Sequence, residues 1–178
     1  APIDELGEYH MALQMMMRMD GISGDAKSFK HKGWADVLSW NWGMTSNRKS
    51  VSTEDRGTTS LNELSIIKAI GNDSSGIRLL YAQGKIIPRV EFSISPVVGK
   101  REIQKNYVNI LMEGVVVKSI VTGGVADDDF FKEHITLLFD RVKFEYNRST
   151  EVNEEGTPVA GKEADFEWDV LANSEWLH

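Results

Sequence analysis

The segment Gly33–Met44 constrains the fold more than any other, because it reads GWADVLSWNWGM and holds three of the five tryptophans in the chain. Side chains of a β-strand alternate between its two faces, so a strand here would gather its large apolar groups on one side. That face carries Asp36 as its only polar member, together with Trp34, Leu38, Trp40 and Trp42. Since a tryptophan buries roughly 150–250 Å², we predict that this strand seeds the hydrophobic core.

The opposite face of the same strand is small and mostly polar. It carries Val37, Ser39 and Asn41. A face of this kind points toward water. Packing of the core explains the apolar face of the segment but not the polar residues on this one.

Composition limits the classes of protein that this chain can belong to. Its 178 residues suffice for one domain with a sizeable core, and 41% hydrophobic with 26% charged residues is ordinary for a globular protein. A net charge of −7 argues against a nucleic-acid partner. The absence of cysteine excludes disulfides and thiolate metal sites. No run of about 18 apolar residues is present, so we predict no membrane-spanning segment.

Alternating apolar and polar residues predict strands along most of the chain. These segments are Met11–Asp20, Leu61–Ile70, Val90–Ser95, Tyr107–Thr122, Phe130–Tyr146 and Ala164–Leu171. Gly114 lies inside one of them and predicts a bulge or bend. One short helix is predicted between Ser74 or Ser75, as its cap, and Gly84, as its left-handed stop. This pattern favours a β-barrel or a two-sheet sandwich.

The predicted domain organisation is simple. The junction His10-Met11 is typical of a cloning site, so we expect residues 1–10 to be a vector-derived or disordered leader. Residues 11–173 form a single domain, and residues 174–178 form a C-terminal tail.

Two features point beyond a monomer. Apolar residues occupy both faces of the strand after Phe130: one face has Ile135, Leu137 and Phe139, and the other has Leu138, Val142, Phe144 and Tyr146. We therefore expect a neighbouring subunit or the helix to cover part of the outer wall. The polar loop Thr45–Ser60 is either a floppy surface loop or an arm that orders against a neighbouring subunit.

The sequence carries no recognisable motif for catalysis or metal binding. The four histidines are scattered and form no zinc-binding pair. The three adjacent acids Asp127–Asp129 lack the alternating spacing of a calcium loop. We predict no enzyme activity, no catalytic residues, no metal and no cofactor.

Several segments together resemble one known family, the haemolysin-coregulated proteins (Hcp) of the type VI secretion system. These segments are MALQMMMRMDG at Met11–Gly21, DVLSWNWGM at Asp36–Met44, VTGGVADDD at Val121–Asp129, ITLLFDRVKFEY at Ile135–Tyr146 and FEWDV at Phe166–Val170. The LSWxWGM core is the most specific of them. Asn41 departs from the family pattern, in which a smaller residue is common at this position.

The resemblance implies a mainly β fold: a two-sheet β-barrel of long antiparallel strands with one short α-helix, assembling into a hexameric ring. Stacked rings would form a hollow tube, driven by a contractile sheath on a baseplate and tipped by a spike protein of the VgrG type. Small effector proteins would travel in the lumen. The protein would leave the bacterial cytoplasm without a cleaved signal peptide, by secretion or injection into a target cell, and so contribute to virulence.

We predict three sets of site residues. Lumen-facing, effector-contacting residues are Ser39 and Asn41. Subunit or ring-stacking contacts are Asn47, Arg48, Lys49, Glu54, Asp55, Arg56, Asp127, Asp128, Asp129, Phe166, Glu167 and Asp169. Core residues are Trp34, Leu38, Trp40, Trp42 and Trp168.

Two other functions stay open at the level of the sequence. A monomeric β-barrel could serve as a binding module that holds a small ligand inside. A hydrolase that uses a pair of Asp or Glu residues is also conceivable, although no motif supports it.

Overall fold

A computed structural model describes residues 12–26, 31–52, 57–98, 101–102, 108–147 and 163–176. The predicted leader, residues 1–10, lies outside them. Within these ranges the first seven elements in chain order are β1 (Ala12–Met19), β2 (Ala35–Val37), β3 (Ser39–Asn41), β4 (Met44–Ser46), β5 (Thr59–Leu61), β6 (Leu64–Ala69) and α1 (Ser74–Ala82). The remaining elements are β7 (Ile87–Val98), β8 (Arg101–Glu102), β9 (Val108–Gly123), β10 (Lys132–Leu138), β11 (Arg141–Asn147), β12 (Glu163–Asp169) and β13 (Ser174–Glu175).

The strands form a barrel from two sheets that share β9. In the first sheet, β1 pairs with β2 and β7, and β7 pairs with β8 and β9. This sheet continues from β9 through β11 and β12 to β13, whose residues Ser174 and Glu175 belong to the predicted C-terminal tail. In the second sheet, β9 pairs with β10, β10 with β6, and β6 with β3. Because only Leu38 separates β2 in the first sheet from β3 in the second, the two sheets also meet there and the barrel is closed. The predicted mainly β, two-sheet barrel with one short helix is confirmed.

The chain crosses from one sheet to the other at three places. β9 crosses at Gly114, which has a φ of +62° and is the bend that the sequence predicts. The segment β2–β3 crosses at Leu38, and the segment β10–β11 crosses at Phe139 and Asp140. At the last two places the residues between the strands, Leu38 in one case and Phe139 and Asp140 in the other, interrupt the alternation. The inward-facing residues are therefore odd-numbered before each break and even-numbered after it.

The shift at Leu38 corrects the predicted faces of the tryptophan segment. Leu38 is 43% exposed, whereas Val37 is buried, so the predictions that Leu38 belongs to the core and Val37 to the wet face are wrong. Before Leu38 the inward residues are Ala35 and Val37; after it they are Trp40 and Trp42. The segment is therefore two short strands in different sheets rather than one strand.

The shift at Asp140 has a similar consequence for β10 and β11. Ile135, Leu137 and Phe139 before the break and Val142 after it all belong to one buried cluster. Leu138 is 40% exposed. Apart from Leu138, the apolar residues of these two strands thus face one interior and do not by themselves require a covered outer wall. That a neighbouring subunit covers part of this wall stays a prediction.

The barrel interior is filled by side chains, among which Phe92, Met112 and Ile110 are almost fully buried. Trp40 packs on Phe92 with ring centres 5.3 Å apart, and Trp42 and Trp168 also pack against this core while partly exposed. A filled interior does not favour the alternative of a small ligand held inside the barrel.

Trp34 is the second correction to the predicted core. It is half-buried on the outer side of the first sheet, where its ring lies 4.8 Å from the ring of His31. There it lines a hollow of about 280 Å³ together with Arg89, Glu91 and Asn109. The prediction that Trp34 joins the other tryptophans in the core is wrong, because the sheet crossing at Leu38 separates it from them.

The helix α1 covers the side of β9 and is held by few apolar contacts. Ile77 is buried and Leu80 packs on the core, while Tyr81 is 49% exposed. Gly84, with a φ of +61°, ends the helix as expected. Asp73 rather than a serine occupies the N-cap position, and its side chain makes no capping hydrogen bond.

Candidate functional site

A row of small polar residues crosses four strands on the outer face of the second sheet; within this row Asn41 is exposed and Thr136 is buried. Asn41 lies beside Ser65, Ser65 beside Thr136, and Thr136 beside Ser119. None of these four side chains carries a charge, and with neighbouring strands about 4.8 Å apart the row is about 14 Å long. We call these four residues the small polar row.

A second row runs next to it and contains larger side chains. Ser39 lies beside Ile67, which lies beside His134, which lies beside Val121. Ser39 and Asn41, the two predicted lumen residues, are therefore both exposed on one outer face. Directly behind them, Trp40, Ile66 and Ile135 point into the core, which fixes the orientation of this face.

The predicted arm is a β-hairpin at its base. Met44 to Ser46 pair with Thr59 to Leu61, so part of the predicted loop is regular structure. The base is anchored by Trp42, whose Nε1 donates to the carbonyl oxygen of Asn62 at 3.0 Å. The Trp42 ring also lies 6.2 Å from the Phe144 ring. We call residues 44–61 the arm.

Side-chain hydrogen bonds link several of the described arm residues to one another. The Asn47 carboxamide oxygen accepts from the Thr58 amide at 2.5 Å. The Arg48 guanidinium donates to the carbonyl oxygens of Ser50 and Ser52 at 2.7 and 2.6 Å. Two predicted contact residues, Asn47 and Arg48, thus stabilise the described part of the arm, and Lys49 is exposed beside them. The other three on the arm, Glu54, Asp55 and Arg56, lie outside the described residues.

The three predicted contact acids Asp127, Asp128 and Asp129 are all exposed in the connection from β9 to β10. The Asp128 amide donates to the carbonyl oxygen of Val125 at 3.0 Å, which closes a turn. These acids lie close in sequence to an exposed pair of aromatic residues, Phe130 and Phe131. The loop is thus apolar as well as acidic.

The predicted contacts on β12 already have partners within the chain. Phe166 stacks on Trp168 with an interplanar angle of 11°, and both pack against the core. Glu167 pairs with Lys143 at 2.9 Å, and hydrogen bonds from Lys143 to Glu167 and Glu145 raise the Lys143 pKa.

Asp169, also on β12, accepts a hydrogen bond from the backbone amide of Ala172 at 2.8 Å and pairs with Arg141 at 3.0 Å. The amide of Ala172, followed by Arg141, lowers the pKa of Asp169. The roles of Phe166, Glu167 and Asp169 at an interface stay predictions.

A buried ionic cluster is the feature that reading the sequence for motifs missed. Lys68, 2% exposed, lies 2.8 Å from Glu133 and 2.9 Å from Asp73, and Ser74 donates to Glu133 at 2.7 Å. Arg78 pairs with the second oxygen of Glu133 at 2.9 Å. Burial opposes ionisation of Glu133, but hydrogen bonds from Lys68 and Ser74 and the charge of Lys68 outweigh it and lower its pKa.

This cluster joins the start of α1 to β6 and β10. A signal for it is present in the sequence, because Lys68 follows Leu64 and Ile66 at the same two-residue spacing, and Glu133 precedes Ile135 and Leu137 in the same way. A charged residue on an inward-facing register predicts a buried partner.

The described ranges contain neither a cluster that could hold a metal ion nor a helix that could cross a membrane. There, no three residues among His, Cys, Asp and Glu lie in an arrangement that could hold a metal ion. Over the same ranges, no helix has the length and apolar character needed to cross a membrane.

Comparison with known proteins gives concordant results. The family model described as type VI secretion system effector, Hcp, matches residues 16–146. The protein hcp1 of Pseudomonas aeruginosa is 26% identical over 166 residues, which cover 92% of this chain and 98% of that protein.

Two solved structures are similar over 93% of this chain and all of their own length. One is a type six secretion system protein, with a TM-score of 0.79 and 22% identity. The other is Hcp1 of Salmonella typhimurium, with a TM-score of 0.74 and 24% identity. At these identities the two structures support the barrel fold.

Proposed function

This chain belongs to the Hcp family of type VI secretion tube and effector proteins, and from that premise we propose that six copies form a ring whose channel is lined by the small polar row. Rings of this kind stack into a hollow tube. The chain acts as a structural and transport protein, without catalysis.

The observation that carries this proposal is the contrast between the two faces of the second sheet. The inner face is sealed by Ile66, Ile135 and Leu137, all fully buried. On the outer face the small polar row presents Asn41, Ser65 and Ser119, which are neither charged nor large. The Lys118–Glu63 ion pair borders this row on one side, and the row with Ile67 and His134 borders it on the other. A row of small uncharged polar groups offers no large apolar contact to a passing protein, which suits the wall of a channel through which cargo must pass.

Membership in the family supports the further partners that we propose. A contractile sheath and baseplate would drive the tube, a spike protein would tip it, and small effector proteins would occupy its channel. The protein would fold in the bacterial cytoplasm and be exported without a cleaved signal peptide.

Mass and shape in solution test the ring. We expect light scattering to give about six times the 20.0 kDa chain mass, and electron microscopy to show rings with an open centre. A monodisperse monomer at high concentration, with no rings, would contradict the proposal.

Labelling tests which face lines the channel, and the absence of cysteine makes it straightforward. We expect Asn41→Cys rings to react with a small maleimide but to be protected from a maleimide on a bulky polymer. The control Tyr81→Cys, on the exposed side of α1, should react with both. Equal protection at the two positions would assign the small polar row to some other surface.

A further inference from the structure

A hollow of about 280 Å³ lies beside Trp34 on the outer face of the first sheet, and we call it the Trp34 hollow. The outward-facing side chains that line it from β7, β9 and β11 are Arg89, Glu91, Asn109, Leu111 and Glu145. The small polar row lies on the outer face of the other sheet, so the two surfaces are separated by the barrel interior. The proposed channel therefore does not account for the Trp34 hollow.

Trp34 is held in place through its backbone. Its amide donates to the carbonyl oxygen of His31 at 3.1 Å, and its carbonyl oxygen accepts from the amide of Ala26 at 2.7 Å. A β-carbon on Gly24 would collide with this carbonyl group, so the close approach of the two segments requires glycine. The His31 ring meets the Trp34 ring at 80° and supports it from one side. A half-buried ring that is fixed in this way is preorganised to contact a ligand.

The charges around the Trp34 hollow favour a cation. Two of its lining residues, Glu91 and Glu145, are acidic, whereas Arg89 is basic and pairs with Glu91 at 2.7 Å. Lys143, next to the hollow on β11, divides its charge between Glu145 at 3.1 Å and Glu167 at 2.9 Å. A carboxylate has two oxygens and accepts several hydrogen bonds, so one ion pair does not saturate it. The hollow is thus acidic on balance and can accept a further donor.

Apolar groups lie next to these carboxylates. Leu111 lies beside Glu91 in the pairing of β9 with β7, and the Trp34 ring forms another part of the wall. An aromatic ring attracts a cation that lies within about 6 Å of its centre. The alkyl stem of a lysine or arginine side chain packs on apolar surface while its charged end stays in a polar environment. An alkyl chain with a cationic end therefore matches both parts of the wall.

The size of the Trp34 hollow agrees with a ligand of this kind. Its volume of about 280 Å³ lies just below the range of about 300–1,000 Å³ that is typical of pockets for drug-sized molecules. A group as small as one side chain fits such a space.

A buried hydroxyl group next to the Trp34 hollow lacks a partner. Ser93 lies beside Asn109 in the pairing of β7 with β9, on the outer face of the sheet, and is fully buried. Its Oγ makes no hydrogen bond within the part of the chain that the structure describes. Because buried polar groups are nearly always paired, this orphaned hydroxyl indicates that a ligand supplies a polar group here.

We infer that the Trp34 hollow binds an alkyl guanidinium or alkyl ammonium group, which is the chemistry of an arginine or lysine side chain. The alkyl part lies against Trp34 and Leu111, and the charged end is bound by Glu91 and Glu145. A free organic cation and a side chain of a partner protein both present this chemistry. The inference does not depend on the ring, because one chain forms the whole hollow.

Fluorine NMR of the full chain labelled with fluorotryptophan tests the site. The five tryptophans give five signals, and the signal that is lost in Trp34→Phe belongs to Trp34. We expect n-butylguanidine to shift this signal in a saturable manner and to leave the signals of Trp42 and Trp168, which pack against the core, unchanged. The control ligand is n-butylurea, which has nearly the same shape but no charge. Absence of a saturable shift with n-butylguanidine, or an equal shift with n-butylurea, would overturn the inference.

Substitution of the two carboxylates tests which groups bind the charge. Glu91→Gln and Glu145→Gln should each weaken the binding of n-butylguanidine several-fold, because each removes one negative charge from the hollow. The matched control is Glu175→Gln, which removes an exposed carboxylate from β13 and should keep the natural affinity. Unchanged signals from the core tryptophans verify that each variant is folded. Natural affinity in both hollow variants would contradict the assignment of the carboxylates and overturn the inference.

A peptide ligand distinguishes the two sources of the cation. Tighter binding of acetyl-Gly-Arg-Gly-amide than of n-butylguanidine would support a side chain of a partner protein as the natural occupant, and equal binding would support a free cation.

The site and the ring fail separately. A chain that stays monomeric by light scattering but binds n-butylguanidine would overturn the ring and support the site. Rings that form but bind no n-butylguanidine would support the ring and overturn the site.

Discussion

Gly114 and Asp140 meet where the two sheets of the barrel join. The Asp140 carboxylate stands so close over Gly114 that a β-carbon on residue 114 would lie 2.9 Å from the Asp140 Cγ. Asp140 itself donates its amide to the carbonyl oxygen of Glu113 at 3.0 Å and accepts from the Val170 amide at 2.7 Å. This corner therefore binds β9 to the chain after β12, and it depends on the absence of a side chain at Gly114.

We predict that Gly114→Ala lowers the free energy of unfolding by about 1–3 kcal/mol, since alanine is strained at a φ of +62° and its methyl group meets Asp140. Urea unfolding followed by tryptophan fluorescence measures this. Gly123→Ala, in the same strand, is the matched control, because its φ is not in the left-handed range and nothing lies within 4 Å of its added carbon. Equal losses from both variants would mean that the corner has no special role.

The same corner shows why the sequence predicts the elements of this fold better than their faces. Local sequence patterns predict the strand positions, the bend at Gly114 and the helix end at Gly84. The barrel architecture is predicted by the resemblance to the Hcp family. A sheet crossing through one ordinary residue, such as Leu38 or Asp140, leaves no such signal. Each crossing makes the alternation on one side opposite to that on the other, so a single alternating pattern drawn through Leu38 predicts the wrong faces for Leu38 and Val37.

The sequence predicts the part of the candidate site that lies within one uninterrupted strand, because alternation holds there. Ser39 and Asn41 are exposed as expected, because both follow Leu38. Their partners Ser65, Ser119 and Thr136 could not be found from sequence, since only strand pairing places them beside Asn41.

The buried cluster around Lys68 predicts a large effect from a single substitution. Lys68→Met would leave Asp73 and Glu133 buried with one cation fewer, and we expect a loss of about 3–5 kcal/mol in the free energy of unfolding. The matched control is Lys118→Met, which removes an exposed pair with Glu63 and should cost about 1 kcal/mol or less. Chemical denaturation measures the free energy of unfolding of both variants. Similar losses in the two would contradict the prediction that burial makes the Lys68 ion pairs more important than the exposed pair.

Glu133 makes stability depend on pH in a direction that its lowered pKa fixes. A carboxyl whose pKa is lower in the folded than in the unfolded state binds more protons when unfolded, so stability falls as the pH falls. The Glu133 contribution is complete above its ordinary value of 4.5 and is lost as the pH drops through the folded pKa. We expect Glu133→Gln to flatten the stability profile in this acidic range, measured by thermal unfolding across pH. A Glu133→Gln profile parallel to that of the natural protein there would contradict the assignment.

The small polar row predicts that a bulky residue at Asn41 blocks transport without disturbing the fold. In Asn41→Trp the indole would project from an exposed outer position, opposite to the buried side of Trp40, so unfolding and ring mass should stay unchanged. Six such side chains would narrow the channel, and retention of effector protein in purified rings should fall. The control Tyr81→Trp adds the same ring to the exposed side of α1 and should leave retention unchanged. Unfolding of the Asn41→Trp subunit would instead show that residue 41 points into the core, and the assignment of the two faces would have to be reversed.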